Sequence, residues 1–386
     1  MLIKAITATK KRTATDDPNV GADSAHLQEY IKKLQKMIGC QTVYKEDGRN
    51  DDQYKKFYEI IEHEFPLLHK EGRKIPVERC LLFKIEGKSD KNILIMSHHD
   101  VVDASENWKH PPFGAEIHDN KMFGRGTVDT KTPLFAEMQA VEELLSENAE
   151  FPCNIYIASS ANEETSGDGM LNALEYFKTN KIHFETVLDE GGAIVDGMVP
   201  TVKRRCAMIA VHEKGRHAYR CTAKKDTKAD GGHSGLTCKS DNPIVRMSQF
   251  ICEAENIKYI RHFYPEVEAT FLETMPYMSY PLRCIFTSWK FFRRPMLGIL
   301  PKVNAQVGAM LGTTVSFNKI ETVDGKDHIQ SKEVRATAFF RCVREDDLEK
   351  DVETFKKTAE KYGITVELES SDYCLSLIHI SEPTRP

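Results

Sequence analysis

The sequence lacks any apolar run long enough to cross a lipid bilayer, so we expect no transmembrane segment and no membrane partner. Its start, MLIKAITATKKRT, has neither the apolar core nor the cleavage site of a signal peptide, which predicts a cytoplasmic protein. The ten cysteines include no CxxC pair, which favours reduced, structural thiols. The net charge of -5 gives no electrostatic reason to expect nucleic acid. No GxGxxG motif follows an early strand, which disfavours a dinucleotide-binding enzyme.

The stretch from Ile93 to Lys131 carries the strongest functional signal. It begins with an apolar run typical of a strand buried on both faces of a sheet, and Ser97-His98-His99-Asp100 follows at once. His98 and Asp100 are two residues apart, so their side chains lie on one face of the strand and His99 points the other way. This alternation predicts His98 as a metal ligand and Asp100 as the carboxylate that orients it. For these residues alone, structural hydrogen bonding is the alternative.

Two further apolar strands lead into loops that carry Glu163, Glu164 and Glu190, and Asp129 follows the glycine-rich turn that closes the first stretch. Taken alone, each carboxylate has an ordinary interpretation as a turn or solvated residue. Because the carboxyl ends of parallel strands meet at one edge of a sheet, we expect these side chains to lie in one cleft. Carboxylates gathered in a cleft repel one another unless protons or cations neutralise them.

The residue types in this cleft indicate the metal. A neutral imidazole with carboxylate oxygens suits Zn²⁺, with Mn²⁺ or Co²⁺ as possible substitutes. There are more candidate ligands than one tetrahedral zinc ion needs. A pair of metal ions roughly 3.5–4 Å apart would account for the surplus.

The order of the predicted elements indicates two domains. Strands and helices alternate over residues 1–209, which predicts an α/β domain with a mostly parallel sheet flanked by helices. From about Ala210 the predicted order becomes βαββαβ, which predicts a smaller ferredoxin-like α+β domain over residues 210–370. Residues 371–386 form a tail.

Six motifs occur along the chain in this order: SHHDVV, NWKHPPF, GRGTVDTK, ANEETSG, LDEGG and GGHSG. In order and spacing they resemble the zinc-dependent aminoacylase / carboxypeptidase S / succinyl-diaminopimelate desuccinylase family of metallopeptidases, and the carboxypeptidase S branch looks closest. The resemblance covers about Leu27 to Leu368. It implies a di-zinc exopeptidase fold in which the second domain is an inserted lid, and a homodimer formed through that lid.

The resemblance also implies the metal ligands. His98, Asp129 and Glu190 would hold the first zinc ion. Asp129 would bridge to a second zinc ion, which would also take Glu164. In the family, the second ion takes a further histidine from a C-terminal segment that returns to the catalytic domain.

Four other residues receive roles from the same resemblance. Glu163 would be the general base, and Asp100 would orient the ligating imidazole. In the lid, His233 would help hold the developing oxyanion, and Arg341 would bind the carboxylate of the substrate. Around Arg341 the chain departs from the family pattern, because residues 328–331 read His-Ile-Gln-Ser in place of the family's Asn-x-Ile-Pro.

The implied function is hydrolysis of an amide bond next to a free carboxylate, in a small peptide or an N-acyl amino acid, by a zinc-bound water and a glutamate base. One alternative is an N-acyl-amino-acid deacylase with the same chemistry. Another is a catalytically dead relative that only binds or dimerises. Glu163 favours an enzyme, because a binding protein has no need of a base beside a metal ligand.

The tail from Leu375 to Pro386 resembles the translation of a sequencing-library transposase adaptor. We therefore expect these residues to be non-native, and His379 is rejected as a ligand. On this hypothesis the chain is truncated at about Cys374 and lacks the family's C-terminal histidine. We expect it to bind about one zinc ion with useful affinity and to have little or no hydrolytic activity.

Overall fold

The computed structural model describes residues 26–70, 73–104, 107–191, 193–195, 201–202, 205–210, 212–225, 242–323 and 330–376. They divide into two compact units, the first ending at Gly191 and the second beginning at Gly192. The sequence placed the domain boundary after residue 209, and the assignment of domains stays a prediction. No helix in the described part of the chain is long and apolar enough to cross a membrane.

The strands of the first unit are β1 (Lys74–Val77), β2 (Cys80–Ile85), β3 (Asn92–His98), β4 (Glu116–His118), β5 (Lys121–Phe123), β6 (Asn154–Ser160) and β7 (Thr186–Leu188). Five of them form one sheet in the order β1-β2-β6-β3-β7, and β4 pairs with β5 in a separate hairpin. Strands β6, β3 and β7 are parallel, whereas β1 and β2 pair antiparallel and β2 joins β6 antiparallel. The predicted α/β class is confirmed, with a mixed central sheet because a hairpin forms one of its edges.

The helices of the first unit are α1 (Leu27–Ile38), α2 (Asp51–Glu64), α3 (Lys131–Ser146) and α4 (Gly169–Thr179). Both faces of the sheet are covered. One face packs under α2 and α3 through a core that includes Phe57, Phe83 and Met138. The other face packs under α4 through Tyr156 and Phe177. Coverage on both sides explains why β3 and β6 are continuous apolar runs without a polar alternation.

The second unit contains β8 (Ala193–Val195), β9 (Cys206–Met208), β10 (His212–Glu213), β11 (Gly215–Lys224), β12 (Thr314–Thr322), β13 (Glu333–Cys342), β14 (Ile364–Asp372) and β15 (Leu375–Ser376). Its helices are α5 (Pro243–Ala254), α6 (Pro265–Thr274), α7 (Tyr280–Thr287), α8 (Trp289–Val303), α9 (Ala305–Met310) and α10 (Glu345–Glu360). Four strands form an antiparallel sheet in the order β12-β13-β11-β14. Helices α5 and α10 pack on one face of it. This reproduces the predicted βαββαβ order.

A helical insert, α6 to α9, separates α5 from β12 in the chain. It has a core of its own that includes Phe271, Phe286 and Trp289, whose rings pack at centroid distances of 5.3 Å and 5.0 Å. The sequence of this segment predicts neither helices nor strands clearly. Two of its prolines, Pro295 and Pro301, lie inside helix α8, where proline is ordinarily unfavourable.

Candidate metal centre

The candidate site lies at the carboxyl ends of the three parallel strands. His98 is the last residue of β3, and Glu190 lies two residues after β7. Glu163 begins a short 3₁₀ turn just after β6. Asp129 lies in the turn before α3, and its peptide bond to Thr130 is cis. The convergence of strand ends that the sequence predicted is therefore present.

The imidazole of His98 is the centre of this cluster. Its Nε2 lies 3.0 Å from Oδ1 of Asp129, 3.4 Å from Oε2 of Glu190 and 3.8 Å from Oε2 of Glu163. The donor atoms of His98, Asp129 and Glu190 all lie within 4.8 Å of one another. Zinc–ligand bonds of about 2.0–2.2 Å at tetrahedral angles place donor atoms roughly 3.4 Å apart. The spacing of these three donors is therefore compatible with one shared metal ion.

Backbone and side-chain contacts fix the orientation of His98. Its Nδ1 lies 2.9 Å from the backbone carbonyl oxygen of Asp100 and 3.4 Å from the carboxylate Oδ1 of the same residue. Nδ1 donates its proton to that carbonyl oxygen, so Nε2 faces the carboxylates and is the nitrogen that can bind a metal ion once it loses its own proton. Asp100 thus faces the imidazole as predicted, but its carbonyl oxygen is the nearer acceptor.

The carboxylate of Asp100 holds the loop that carries both glutamates. Oδ1 accepts a hydrogen bond from the backbone N–H of Glu163, and Oδ2 accepts one from the N–H of Glu164, each at 3.0 Å. Asp100 is fully buried. Sequence reasoning missed this role, because no spacing or motif links residue 100 to an N–H group more than sixty positions away.

His99 points away from the cluster, as the strand alternation predicted. Its ring stacks on Phe57 at a centroid distance of 5.3 Å, Nδ1 pairs with the hydroxyl of Ser159 at 2.9 Å, and Nε2 pairs with the hydroxyl of Tyr58 at 3.1 Å. Complete burial lowers the pKa of His99 well below its ordinary value. His99 is thereby a neutral core residue with satisfied hydrogen bonds.

The electrostatics of the cluster favour a bound cation. Burial by itself lowers the pKa of His98, but the hydrogen bond to Asp100 and the charge of Glu190 together raise that pKa to about 10. Burial, followed by the charges of Glu163 and other neighbouring carboxylates, raises the pKa of Glu190 to about 7. Oε2 of Glu190 is also buried without a hydrogen-bond partner among the described residues. A divalent cation would supply the charge that this oxygen and its neighbours lack.

Glu163 and Glu164 occupy different positions relative to this cluster. Burial is the main cause that raises the pKa of each, and the charge of Asp129 adds to it in both. Glu163 faces His98, whereas Glu164 belongs to no group of three close donor side chains in the described part of the chain. The two predicted ligands of the second ion, Asp129 and Glu164, lie close enough for the charge of Asp129 to raise the pKa of Glu164.

Two predicted substrate-binding residues belong to the second unit. His233 lies outside the described residues. Arg341 lies on β13, exposed, on the face opposite to the buried Ala338 and Phe340. In the tail, Leu375–Ser376 pairs with His212–Glu213, and the residues beyond, including His379, lie outside the described ranges.

Lys131 holds the turn before α3 in place through buried hydrogen bonds, a role that sequence reasoning did not find. Its ammonium group is fully buried and donates to the carbonyl oxygens of Met37 and Cys40 at 3.1 Å and 2.7 Å. Burial lowers the pKa of Lys131 to about 7. Through the two hydrogen bonds, Lys131 ties the turn that carries Asp129 to the end of α1. The GRGTVDTK motif marks the residue, but its partners are brought close only by the fold.

Comparison with known proteins places these features in a family. Residues 94–375 match the sequence model of peptidase family M20/M25/M40. A carboxypeptidase S-like protein of Dictyostelium discoideum is 30% identical over 331 residues, which cover 82% of this chain and 62% of that protein. An N-fatty-acyl-amino acid synthase/hydrolase of Xenopus tropicalis is 27% identical over 325 residues, which cover 81% of this chain and 62% of that protein. The chain therefore spans about three fifths of the length of these relatives.

Solved structures share the fold. A metallo-carboxypeptidase of Sulfolobus solfataricus superposes with a TM-score of 0.58 at 21% identity, covering 90% of this chain and 79% of that one. Human carnosine dipeptidase 1 superposes with a TM-score of 0.56 at 13% identity, covering 90% of this chain and 78% of that one. At these identities the likeness concerns the fold alone.

Proposed function

We propose that this chain, which belongs to peptidase family M20/M25/M40, is a metal-dependent hydrolase that removes the C-terminal residue of small peptides. The observation that carries the proposal is the convergence of His98, Asp129 and Glu190 on one point, with Glu163 directly beside it. Fold alone does not assign an activity, whereas a donor set with an adjacent free carboxylate is the arrangement that metal-assisted hydrolysis requires.

We propose zinc as the metal, since an imidazole and two carboxylates leave a fourth position open on a tetrahedral ion. His98, Asp129 and Glu190 would hold it, and Asp129 with Glu164 would contribute to a second ion. When bound, such an ion lowers the pKa of a water molecule and polarises a carbonyl group. The buried Oε2 of Glu190, which lies 3.4 Å from Nε2 of His98 but has no hydrogen-bond partner among the described residues, supports this fit.

Glu163 is proposed as the general base. Its carboxylate is 54% exposed at the open side of the cluster, where a substrate can reach it. Burial raises the pKa of Glu163 towards neutral pH, where one group can both accept and release a proton. It would take a proton from the attacking water and give it to the leaving nitrogen. Asp100 holds its backbone in place.

The test is hydrolysis of an N-blocked dipeptide by the zinc-loaded chain, with release of the C-terminal amino acid as the readout. Turnover would contradict the expectation of little or no activity that follows from the truncation hypothesis. We expect Glu163→Gln to lower kcat by about 10²–10⁴-fold with unchanged zinc content, since the amide cannot accept the proton. Glu62→Gln, a change of the same chemistry at an exposed helix position, serves as the control and should leave kcat unchanged.

The C-terminal amide of the same dipeptide tests the exopeptidase assignment. It should resist cleavage, because the proposal places the scissile bond next to a free carboxylate. Equal turnover of acid and amide would contradict that part of the proposal. Equal turnover by Glu163→Gln and the unchanged protein would remove Glu163 from the mechanism.

A second candidate function is hydrolysis of N-acyl amino acids. The relative from Xenopus tropicalis, whose match covers 81% of this chain, favours it. Parallel assays with an N-fatty-acyl amino acid and the N-blocked dipeptide distinguish the two, and the larger kcat/KM identifies the substrate class. We also propose a homodimer formed through the second unit, which sedimentation velocity tests.

A further inference from the structure

Helix α8 of the helical insert carries apolar residues on its inner face and also along part of its exposed side. Its inner face is buried in the core of the insert through Trp289, Met296 and Leu300. On its outer side, Phe291 is 86% exposed and Ile299 is 51% exposed. A helix that buries one face and still presents an aromatic ring to water has a second surface without a partner.

The exposed apolar residues of α8 are aligned. Phe291, Pro295, Ile299 and Val303 follow one another at intervals of four, so they lie along one side of the helix. Val303 is 65% exposed. Apolar residues scattered singly over a surface are ordinary, but a continuous apolar stripe marks a surface that binds a protein, a membrane or a ligand.

The charge around this stripe has one sign. No aspartate or glutamate occurs between Glu273 and Glu321, although the chain has 58 of them among 386 residues. The same interval contains six basic residues, of which four lie exposed on α8: Lys290, Arg293, Arg294 and Lys302. Within the described ranges none of these four takes part in an ion pair. A chain of net charge -5 thus has one strongly basic, apolar helix surface.

We propose that α8 is a docking surface for a membrane that contains anionic lipids. The stripe begun by Phe291 would enter the boundary between headgroups and acyl chains. The basic side chains of α8, of which Arg294 and Lys302 lie nearest to Phe291 around the helix, would bind the lipid phosphates and carboxylates. A helix of this kind lies on a membrane and does not span it. The proposal therefore revises the expectation of no membrane partner, which depended on the lack of a spanning segment.

Two other occupants fit the surface less well. A second copy in a two-fold contact would bring like charges of the two α8 helices together, which opposes association. A nucleic acid would use the basic side chains and stack on Phe291, but Ile299 and Val303 offer no ring for stacking. An anionic lipid surface uses the aliphatic and the basic residues together.

Cosedimentation of the full chain with phosphatidylcholine vesicles, with and without phosphatidylserine, tests the proposal. We expect binding to the mixed vesicles and little binding to phosphatidylcholine alone. The double change Arg294→Gln with Lys302→Gln should weaken binding about 25-fold, since each basic residue near an anionic surface contributes a factor of about 5. The double change Phe291→Ser with Ile299→Ser should weaken it by at least about 10-fold.

Matched controls lie elsewhere in the second unit. Lys350→Gln with Lys356→Gln removes two exposed charges from α10, and Leu368→Ser removes an apolar side chain that is 55% exposed on β14. Both should bind vesicles as the unchanged chain does. Absent binding, or equal binding with and without phosphatidylserine, would overturn the proposal. So would unchanged binding of the α8 variants, or a dimer in sedimentation velocity that only the Phe291 and Ile299 changes dissociate.

Discussion

Removal of the carboxylate of Asp100 should damage both the stability of the first unit and its affinity for zinc. Asp100 is fully buried, and its two oxygens each accept one backbone N–H, from Glu163 and from Glu164, at 3.0 Å. In Asp100→Ala both N–H groups lose their acceptor inside the protein. A buried donor without a partner costs about 1–3 kcal/mol, so the free energy of unfolding should fall by about 2–6 kcal/mol.

The Asp100→Asn variant distinguishes the effect of losing side-chain volume from the effect of losing hydrogen-bond acceptors. The asparagine keeps the volume and one carbonyl oxygen, but its NH₂ group then faces the other backbone N–H. One donor stays satisfied, so the loss should be about 1–3 kcal/mol, between the unchanged chain and the alanine variant. Asp90→Ala, which removes a carboxylate from an exposed loop position, is the matched control and should change the free energy of unfolding by less than about 0.5 kcal/mol.

Two measurements follow the effect. Urea unfolding of the metal-free variants, monitored by circular dichroism, gives the free energies. Competition of each variant with a chromophoric chelator gives the zinc affinity, which should fall by about 10–100-fold in Asp100→Ala because the ligating imidazole and the adjacent loop lose their support. If the alanine variant unfolds like Asp90→Ala and binds zinc like the unchanged chain, the assignment of Asp100 as the clamp of this loop is wrong.

Three further predictions follow from the same structure. His98→Ala should remove tightly held zinc, whereas His99→Ala should keep zinc and lower the free energy of unfolding by about 1–3 kcal/mol; elemental analysis after dialysis and urea unfolding decide, and the reverse pattern would contradict the strand alternation. Zinc binding at pH 7 should release about 1.5 protons, one from His98 and a half from Glu190, because the ligands bind deprotonated and their pKa values are raised to about 10 and about 7. The release should fall to about one proton at pH 9, as calorimetry in buffers of different ionisation enthalpy would show, and no release at either pH would rule out these ligands. Gly126→Ala should lower the free energy of unfolding by about 1–3 kcal/mol, since φ is +84° and a Cβ would meet a side-chain carbon at 2.9 Å. Gly298→Ala, in an open helix position, should be neutral or stabilising in the same urea unfolding experiment.

The helix from Leu27 to Ile38 shows how far periodicity reaches. The helical spacing of Leu27, Ile31, Leu34 and Ile38 predicts a helix with these bounds. The structure has the same bounds, because the spacing of apolar residues along one face is a local property. The insert around Trp289 shows the opposite case. Helix α8 contains two internal prolines, and the helices of the insert bury aromatic residues against one another, so neither period dominates the sequence.

The sequence alone determined which side chains compose the site. Alternation along β3 separates His98 from His99, and successive strand ends of a parallel sheet meet at one edge. The family resemblance then selects Asp129 and Glu190 among the carboxylates expected there. Only the tertiary structure decided how the site is held. That Asp100 clamps the loop of Glu163, and that Lys131 ties the turn before α3 to α1, depends on contacts between distant segments, and such contacts leave no period or spacing in the sequence.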